Sequence, residues 1–275
     1  MLNGVRRSLR DQVSSLGLAG PAARVIRALT SSDPRVAVAN ARFRRRGAPD
    51  GLPIPPPDLR FQVAGTTSIS WFLEAGALGA DTVREALSRR GVVIDDLEAI
   101  LDFGCGCGRV LRHWHGLQRA RVCGTDYSLK LVEWCGHNLP FVDASVNRLA
   151  PPLSYDDAAF DLVYAFSVFS HLTEDLQMPW MHELARVLKP GGHLVLSTHG
   201  ESYLHRLNDA ERRQFDSGRL VVKNDVKAPG SNTCAAYHPF AYVRDRLSVA
   251  VELVDFQPEG ATGNPHQDLY VFHKP

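Results

Sequence analysis

Three glycines at alternating positions, directly after a short apolar run, are the feature that most constrains this sequence. The apolar run is Ala99–Phe103, and the glycines are Gly104, Gly106 and Gly108. Because glycine has no Cβ, a backbone with this spacing can turn sharply and approach a ligand that a side chain would block. A strand followed by such a turn is typical of a parallel sheet that binds its ligand at the carboxyl ends of the strands.

Short apolar runs alternate with amphipathic stretches from residue 97 onward. The apolar runs are Ala99–Phe103, Arg121–Gly124, Phe160–Phe166 and His193–Ser197, and the stretches between them are Arg109–Leu117, Leu129–Asn138 and Leu176–Leu188. This alternation predicts an α/β fold of the Rossmann-like, doubly wound type, with helices on both faces of a mostly parallel sheet. Two last runs, Val249–Phe256 and Asp268–His273, have no helix between them, so we expect a terminal hairpin with one antiparallel strand.

Two carboxylates flank the glycine turn. Asp126 follows Gly106 by twenty residues and ends the next apolar run, where its carboxylate can accept two hydrogen bonds from ribose hydroxyls. Asp102 precedes the turn and suits a ligand with a positive group, such as an ammonium. A dinucleotide site needs a third glycine where Arg109 stands, and a pyrophosphate disfavours a nearby anion. A nicotinamide enzyme is therefore the weaker interpretation.

Four segments together resemble the class I S-adenosylmethionine-dependent methyltransferases, in particular a bacterial subgroup that acts on small molecules. These segments are Leu101–Arg109 (LDFGCGCGR), Asp126, Phe160–Leu172 and Arg186–His193 (RVLKPGGH). The resemblance is close over residues 97–199. It implies a seven-stranded sheet whose last strand is antiparallel. It also implies an enzyme that uses S-adenosyl-L-methionine and releases S-adenosyl-L-homocysteine.

The resemblance also implies a set of cofactor contacts. These are Asp102, Gly104, Cys105, Gly106, Arg109, Asp126, Tyr127, Asn147, Arg148 and Phe166. Asp102 and the turn would hold the methionine part, Asp126 the ribose, and Tyr127 would lie along the adenine. The family's acidic residue after the third strand is absent, and Asn147 is the candidate in its place. Arg148 and Ser145 are alternatives for that position.

Two histidines follow the fourth and fifth predicted strands, where the acceptor would meet the methyl group. His171 and His199 titrate near neutral pH, so either is a candidate general base, with a packing role as the alternative. The candidate acceptor contacts are Trp71, Phe72, Tyr203, Tyr237 and His238. We expect no metal site, because His199, His205, Cys234 and His238 lack the compact spacing of zinc ligands.

Charge divides the chain unevenly. Residues 1–50 carry ten Arg and three Asp, a net of +7, and the rest of the chain carries a net of −6. Within this basic segment, helical spacing of apolar residues predicts two short helices near residues 5–16 and 25–29. A proline-rich stretch follows at residues 47–57. We expect an extension and linker over 1–58 and a methyltransferase domain over 59–275. Within that domain we expect a helical cap (59–96), a cofactor core (97–199), a lid or substrate segment (200–238) and a C-terminal helix with a hairpin (239–275).

The sequence allows several roles for the N-terminal extension. It can serve as a cap, as a contact in a homo-oligomer, or as an arm that grips RNA or another anionic macromolecule, although the acidic remainder of the chain disfavours nucleic acid. No apolar run of 18 residues predicts a membrane span. The five cysteines have no framework spacing, so a cytoplasmic protein with reduced thiols is expected. The Arg-rich start also resembles an organellar transit peptide.

Overall fold

Residues 34–224, 234–264 and 266–275 are described by the structure, which is a computed structural model. The two short helices expected near residues 5–16 and 25–29 lie outside these described residues. Three helices precede the sheet: α1 (Pro34–Arg46), α2 (Pro57–Ala64) and α3 (Ile69–Ser88).

Nine strands within the described residues form one sheet. They are β1 (Ala99–Phe103), β2 (Arg121–Asp126), β3 (Val142–Val146), β4 (Phe160–Phe166), β5 (Leu188–His199), β6 (Val221–Asn224), β7 (Cys234–Tyr237), β8 (Glu252–Gln257) and β9 (Gln267–His273). Strands β1 to β5 pair in parallel in the order β3-β2-β1-β4-β5. Strand β9 then runs antiparallel between β5 and β8. This confirms the expected α/β sheet and its terminal hairpin.

The segments between the strands pack on the two faces of the sheet. Helix α4 (Leu129–Asn138) follows β2, helix α5 (Glu174–Val187) follows β4, and helix α6 (Asp209–Asp216) follows β5. The stretch after the glycine turn, expected to be a helix over Arg109–Leu117, forms only a 3-10 turn at Leu111–Trp114. Alternate residues of the central strands face opposite sides: Leu101 joins the core beneath α5, and Ile100 joins the core beneath α3 and α4.

Strands β6 and β7 form a hairpin that adds two strands to the seven expected. Tyr237 of β7 pairs in parallel with His199 at the very end of β5. The hairpin therefore lies at the carboxyl edge of the sheet, beside the 3-10 turn Phe169–His171 that follows β4. Part of the segment expected to be a lid over residues 200–238 is thus integrated into the sheet.

Helix α3 is one continuous helix of 20 residues within the expected helical cap. Ser68 caps it by accepting a hydrogen bond from the Trp71 amide (3.2 Å), whereas Asp81 lies in its interior. Gly76 is required in its middle because a Cβ there would lie 2.1 Å from the Arg109 carbonyl oxygen. The small residues of this helix therefore permit close packing and do not mark a break.

The proline-rich stretch is docked on the domain. The Arg112 guanidinium binds both carboxylate oxygens of Asp50, at 2.6 and 2.8 Å. Arg60 donates hydrogen bonds to the carbonyl oxygens of Pro55 and Thr67. Asn40 of α1 accepts from the Ile69 amide (2.9 Å) and donates to the Thr67 carbonyl (3.0 Å). Residues 40–60 thus share polar contacts with the body that follows them.

Candidate active site at the carboxyl edge of the sheet

The glycine turn after β1 is held against β2 by the backbone. The amides of Gly104 and Cys105 both donate to the Thr125 carbonyl oxygen, at 2.8 and 2.9 Å. Gly104 has a φ of +80°, which residues with a Cβ rarely adopt. A Cβ at Gly104 would lie 2.3 Å from Val168 Cγ2, and one at Gly106 would lie 2.7 Å from Val63 Cγ2. The glycines therefore leave room for two valines that cover the turn.

Asp126 lies at the end of β2 with its carboxylate pinned toward the turn. Its Oδ2 accepts from the Gly106 amide (3.0 Å), and its Oδ1 accepts from the Ser128 amide (2.9 Å). Burial raises the pKa of this carboxyl, and the two amide hydrogen bonds oppose that effect. A carboxylate offers about four lone-pair positions, so two acceptor positions stay available for a ligand's hydroxyl groups.

Asp102, on β1, is buried on the same side of the turn. Burial is the main cause that raises its pKa to about 7, while a hydrogen bond from Tyr164 and the charge of Arg109 oppose the rise. The group is therefore divided between its neutral and ionised forms near neutral pH. A cation bound beside it would favour the ionised form.

The positions expected to contact adenine lie at the ends of β2 and β3. Tyr127 is 44% exposed, which leaves its ring accessible for stacking. The Oδ1 of Asn147 is buried and has no hydrogen-bond partner among the described residues, whereas its Nδ2 donates to the Arg148 carbonyl (2.7 Å). Arg148 is exposed, and Ser145 shares a hydrogen bond with the Tyr155 hydroxyl (3.0 Å). Asn147 is thus the candidate with an unsatisfied acceptor.

Arg109 joins this edge of the sheet to helix α3. The Arg109 guanidinium donates to the carbonyl oxygens of Ala75 and Gly263 and to Asn264 Oδ1, at 2.7 to 3.0 Å. It also lies 5.8 Å from the ring centroid of the half-buried Trp71. The Phe166 ring packs 5.7 Å from that of Tyr164. Cys105 is buried within the turn, where its thiol donates weakly to the Gly106 carbonyl.

The two candidate bases meet at the carboxyl ends of β4 and β5. The rings of His171 and His199 lie 6.0 Å apart, and Tyr203 packs 4.2 Å from His199. His171 Nδ1 lies 2.7 Å from the Cys234 carbonyl oxygen, so that nitrogen carries the proton. His199 is buried, and its Nδ1 has no hydrogen-bond partner among the described residues. Burial, followed by the charges of His171 and Arg206, holds the pKa of His199 well below its usual range.

Phe72 and His238, which are predicted to contact an acceptor, are both packed in the interior of the structure. Phe72 is fully buried in a core cluster with Leu59 and Ile69, because it lies on the inward stripe of α3. His238 is also fully buried, and its Nε2 lies 3.1 Å from Gln177 Oε1. Tyr237 is 3% exposed and packs 5.5 Å from the His199 ring, so it supports that histidine.

Residues at this edge that the sequence analysis did not identify are Val63, Val168 and Tyr164. No local pattern marks the two valines, because they reach the turn from helix α2 and from the loop after β4. Tyr164 had a detectable signal, since it stands at an alternate position of the run Phe160–Phe166. In the parallel register it pairs with Asp102.

The described residues contain neither a candidate metal site nor a candidate membrane-spanning helix. Across those ranges, no cluster of three His, Cys, Asp or Glu side chains has a geometry that would hold a metal ion. Among the helices in the same part of the chain, none has the length and apolar character needed to cross a membrane.

Comparisons with known proteins agree with this geometry. Residues 101–196 match the family model described as a methyltransferase domain. The chain is 33% identical over 140 residues to malonyl-acyl-carrier-protein O-methyltransferase of Hahella chejuensis, covering 50% of this chain and 47% of that protein. It is 32% identical over 120 residues to trans-aconitate 2-methyltransferase of Azoarcus (41% of this chain, 43% of that protein). It is 28% identical over 140 residues to tRNA N(3)-methylcytidine methyltransferase trm140 of Schizosaccharomyces pombe (46% and 45%).

The matched regions span a little under half the length of these relatives. Among solved structures, the chain resembles the Burkholderia thailandensis 1,6-didemethyltoxoflavin-N1-methyltransferase with a TM-score of 0.53 and 15% identity, covering 81% of this chain and 92% of that one. At that identity the likeness supports the fold alone. The family match, the relatives and the sheet order agree with one another. Residues 101–196 therefore form a methyltransferase domain, and the chain is similar to class I S-adenosylmethionine-dependent methyltransferases.

Proposed function

We propose that the protein transfers a methyl group from S-adenosyl-L-methionine to an oxygen, nitrogen or carbon atom of a small-molecule acceptor. The observation that carries this proposal is the Asp126 carboxylate, which is fixed by two backbone amides opposite the glycine turn. Its spare acceptor positions face the carboxyl edge of a parallel sheet, where such folds bind nucleotide-like ligands.

The residues present fit this cofactor. Asp126 has lone pairs available for ribose hydroxyls, and the unpartnered Oδ1 of Asn147 can accept a hydrogen bond from the adenine amino group. The exposed Tyr127 ring can stack on the adenine. Asp102 offers a buried carboxyl beside the turn for the ammonium of the methionine part. Within this fold, each part of the cofactor thus has a complementary group.

Methyl transfer depends mainly on the alignment of the acceptor atom with the methyl group and the sulfur. S-adenosyl-L-methionine, when bound, supplies an electrophilic methyl group on a sulfonium. The protein's contribution is to hold this group in line with the acceptor, which is catalysis by proximity and orientation. Val63 and Val168 cover the glycine turn and would exclude water from it.

His199 is the residue that we propose faces the acceptor, with Tyr203 beside it. Because its pKa is well below the usual range, His199 is neutral at pH 7 and has a lone pair that can accept a proton or a hydrogen bond. A base of such low pKa removes protons poorly from weakly acidic groups. We therefore infer an acceptor that is already nucleophilic, or that carries an acidic proton. His171 is placed to support the His199 ring.

Calorimetric titration with S-adenosyl-L-homocysteine tests the proposal, with NAD as the competing ligand class. The wild-type protein should bind S-adenosyl-L-homocysteine and not NAD. Asp126→Ala should weaken that binding by about 1.5–3 kcal/mol, since it removes charge-assisted hydrogen bonds. Asp143→Ala is a matched control, because Asp143 is an exposed carboxylate on the neighbouring strand that pairs with Arg121. Binding of NAD alone, or unchanged affinity in Asp126→Ala, would contradict the assignment.

A macromolecular acceptor is the second candidate, favoured by the charge of helix α1. Arg42, Arg44, Arg45 and Arg46 are exposed there, and the helix contains no acidic residue. Arginine side chains of this kind bind phosphates, with an affinity that falls steeply as salt increases. A binding series with RNA over 50 to 200 mM salt separates the candidates. Affinity that depends on both salt and these arginines would favour RNA, and absence of binding would favour the small molecule.

We further propose that the protein is cytoplasmic. All five cysteines lie in the described residues and are free and buried, which fits a reducing compartment. We also propose that the protein forms a homo-oligomer through the N-terminal extension, which analytical ultracentrifugation would test.

A further inference from the structure

Three buried side chains form a line beneath the glycine turn. Asp102 on β1 and Tyr164 on β4 are paired in the parallel register, so their side chains lie on the same face of the sheet. The Trp114 indole Nε1 donates to the Tyr164 hydroxyl at 2.8 Å. The same hydroxyl interacts with the Asp102 carboxyl, its neighbour on the adjacent strand. Trp114 and Tyr164 are fully buried, and Asp102 is 4% exposed.

The direction of this line follows from the donor and acceptor capacity of each group. An indole N–H only donates, so the Tyr164 oxygen must act as the acceptor from Trp114. The hydroxyl has one proton, which is then directed at the Asp102 carboxyl. A hydrogen bond donated to a carboxylate favours its ionised form over its neutral form. Tyr164 therefore both aims the Asp102 carboxyl and stabilises its charge.

We propose that Tyr164 is a positioning residue for the cofactor, which keeps Asp102 ionised and oriented toward the ammonium of the methionine part, with Trp114 fixing the direction of the Tyr164 hydroxyl. The inference rests on the proposed function, because it concerns the same cofactor site. It adds two residues that do not touch the cofactor themselves and act through Asp102.

The other groups that face Asp102 set how much this hydrogen bond matters. Arg109, on the loop after β1, favours the carboxylate by its charge, and Asp126 on β2 opposes it. The Cys105 thiol in the turn interacts with the same carboxyl and stays protonated, since its pKa is raised well above the ordinary value. Burial is the largest effect and favours the neutral form of Asp102. The net result of all these effects is that the pKa of Asp102 is raised to about 7. A group balanced so near neutrality responds strongly to the loss of one donor.

The test compares two ligands over pH. The affinities of S-adenosyl-L-homocysteine and of 5′-methylthioadenosine, which lacks the amino-acid part, are measured by calorimetry between pH 5.5 and 7.5. In the wild type, only the affinity of S-adenosyl-L-homocysteine should fall as the pH drops. We call this fall of affinity at low pH the acidic limb. In Tyr164→Phe the acidic limb should shift to higher pH by about one unit, so that the affinity for S-adenosyl-L-homocysteine at pH 6 is about tenfold weaker than in the wild type. Binding of 5′-methylthioadenosine should change little at any pH.

Two more variants decide between positioning and general damage to the fold. Trp114→Phe should move the limb in the same direction by a smaller amount, because Tyr164 keeps its own proton; this variant decides the matter if Tyr164→Phe does not fold. Tyr242→Phe, which removes the hydroxyl of a buried tyrosine in the core beneath α5, should leave the limb in place. Superimposable profiles for the wild type and the folded variants, or an equal loss for both ligands, would overturn the inference. Absence of S-adenosyl-L-homocysteine binding in the wild type would instead refute the proposed function.

Discussion

Replacing Asp50 by alanine would test whether the proline-rich stretch is part of the folded domain. Asp50 binds the Arg112 guanidinium through both carboxylate oxygens, and the Arg112 side chain is 1% exposed. The same guanidinium makes longer contacts of 3.3 Å with the carbonyl oxygens of Leu52 and Pro53. Asp50→Ala would leave a buried cation with these two carbonyl partners and the Phe72 ring, whose centroid lies 5.9 Å away.

The expected cost is about 3–5 kcal/mol of unfolding free energy, the usual penalty for breaking a buried ion pair on one side. Urea unfolding at pH 7, followed by tryptophan fluorescence, measures it. The matched control is Asp143→Ala, which breaks a pair with Arg121 whose side chains are 55% and 56% exposed. The control should cost less than about 1 kcal/mol, since exposed pairs contribute little.

The pH dependence gives an independent check. Although burial opposes it, Arg112 holds the pKa of Asp50 below its ordinary value. The stabilisation is therefore fully present above the ordinary carboxyl pKa, near 4, and is lost as pH falls through the lower folded-state value. Asp50→Ala should lose stability less steeply than the wild type below pH 4. A cost equal to that of Asp143→Ala, with parallel pH profiles, would refute the view that this ion pair holds the stretch to the domain.

Three other predictions concern the turn, the candidate base and the extension. Gly104→Ala should weaken S-adenosyl-L-homocysteine binding more than tenfold in calorimetry, because a Cβ there meets Val168 and the positive φ costs about 1–2 kcal/mol; Gly116→Ala, with open space around it, should not. His199→Ala should keep the affinity for S-adenosyl-L-homocysteine within about twofold and should lower turnover of an acceptor found by screening. His205→Ala is the control, and equal turnover of the two variants would indicate that His199 has only a packing role. A variant that begins at Leu59 should unfold at lower urea than one that begins at Pro34, since it loses Asn40 and Asp50; equal midpoints would show that the extension adds nothing.

The central sheet could be predicted because each strand is a short apolar run bounded by polar or turn residues. Ala99–Phe103 and Phe160–Phe166 have the same bounds in the sequence analysis and in the structure. The β6–β7 hairpin could not be predicted in this way. Its strands have four residues each and depend on pairing with the end of β5.

Site residues could be predicted from the sequence only where they belong to one local motif with a characteristic spacing. The glycines and Asp126 stand in one strand-turn-strand unit, and their contact follows from that unit. The burial of Phe72 follows from the helical spacing of Ile69, Phe72, Gly76 and Gly79, which places these residues on the inward side of α3. Contacts between distant segments, such as Asp50 with Arg112 and Val63 with the turn, have no local signature.

A crystal structure with S-adenosyl-L-homocysteine would test the central claim most directly. We expect the ribose hydroxyls within hydrogen-bonding distance of the Asp126 carboxylate, and the ammonium beside Asp102. We also expect the adenine amino group at Asn147 Oδ1, with the sulfur directed toward His199. Density for the ligand away from the carboxyl edge of β1 and β2, or with its ribose remote from Asp126, would contradict the account.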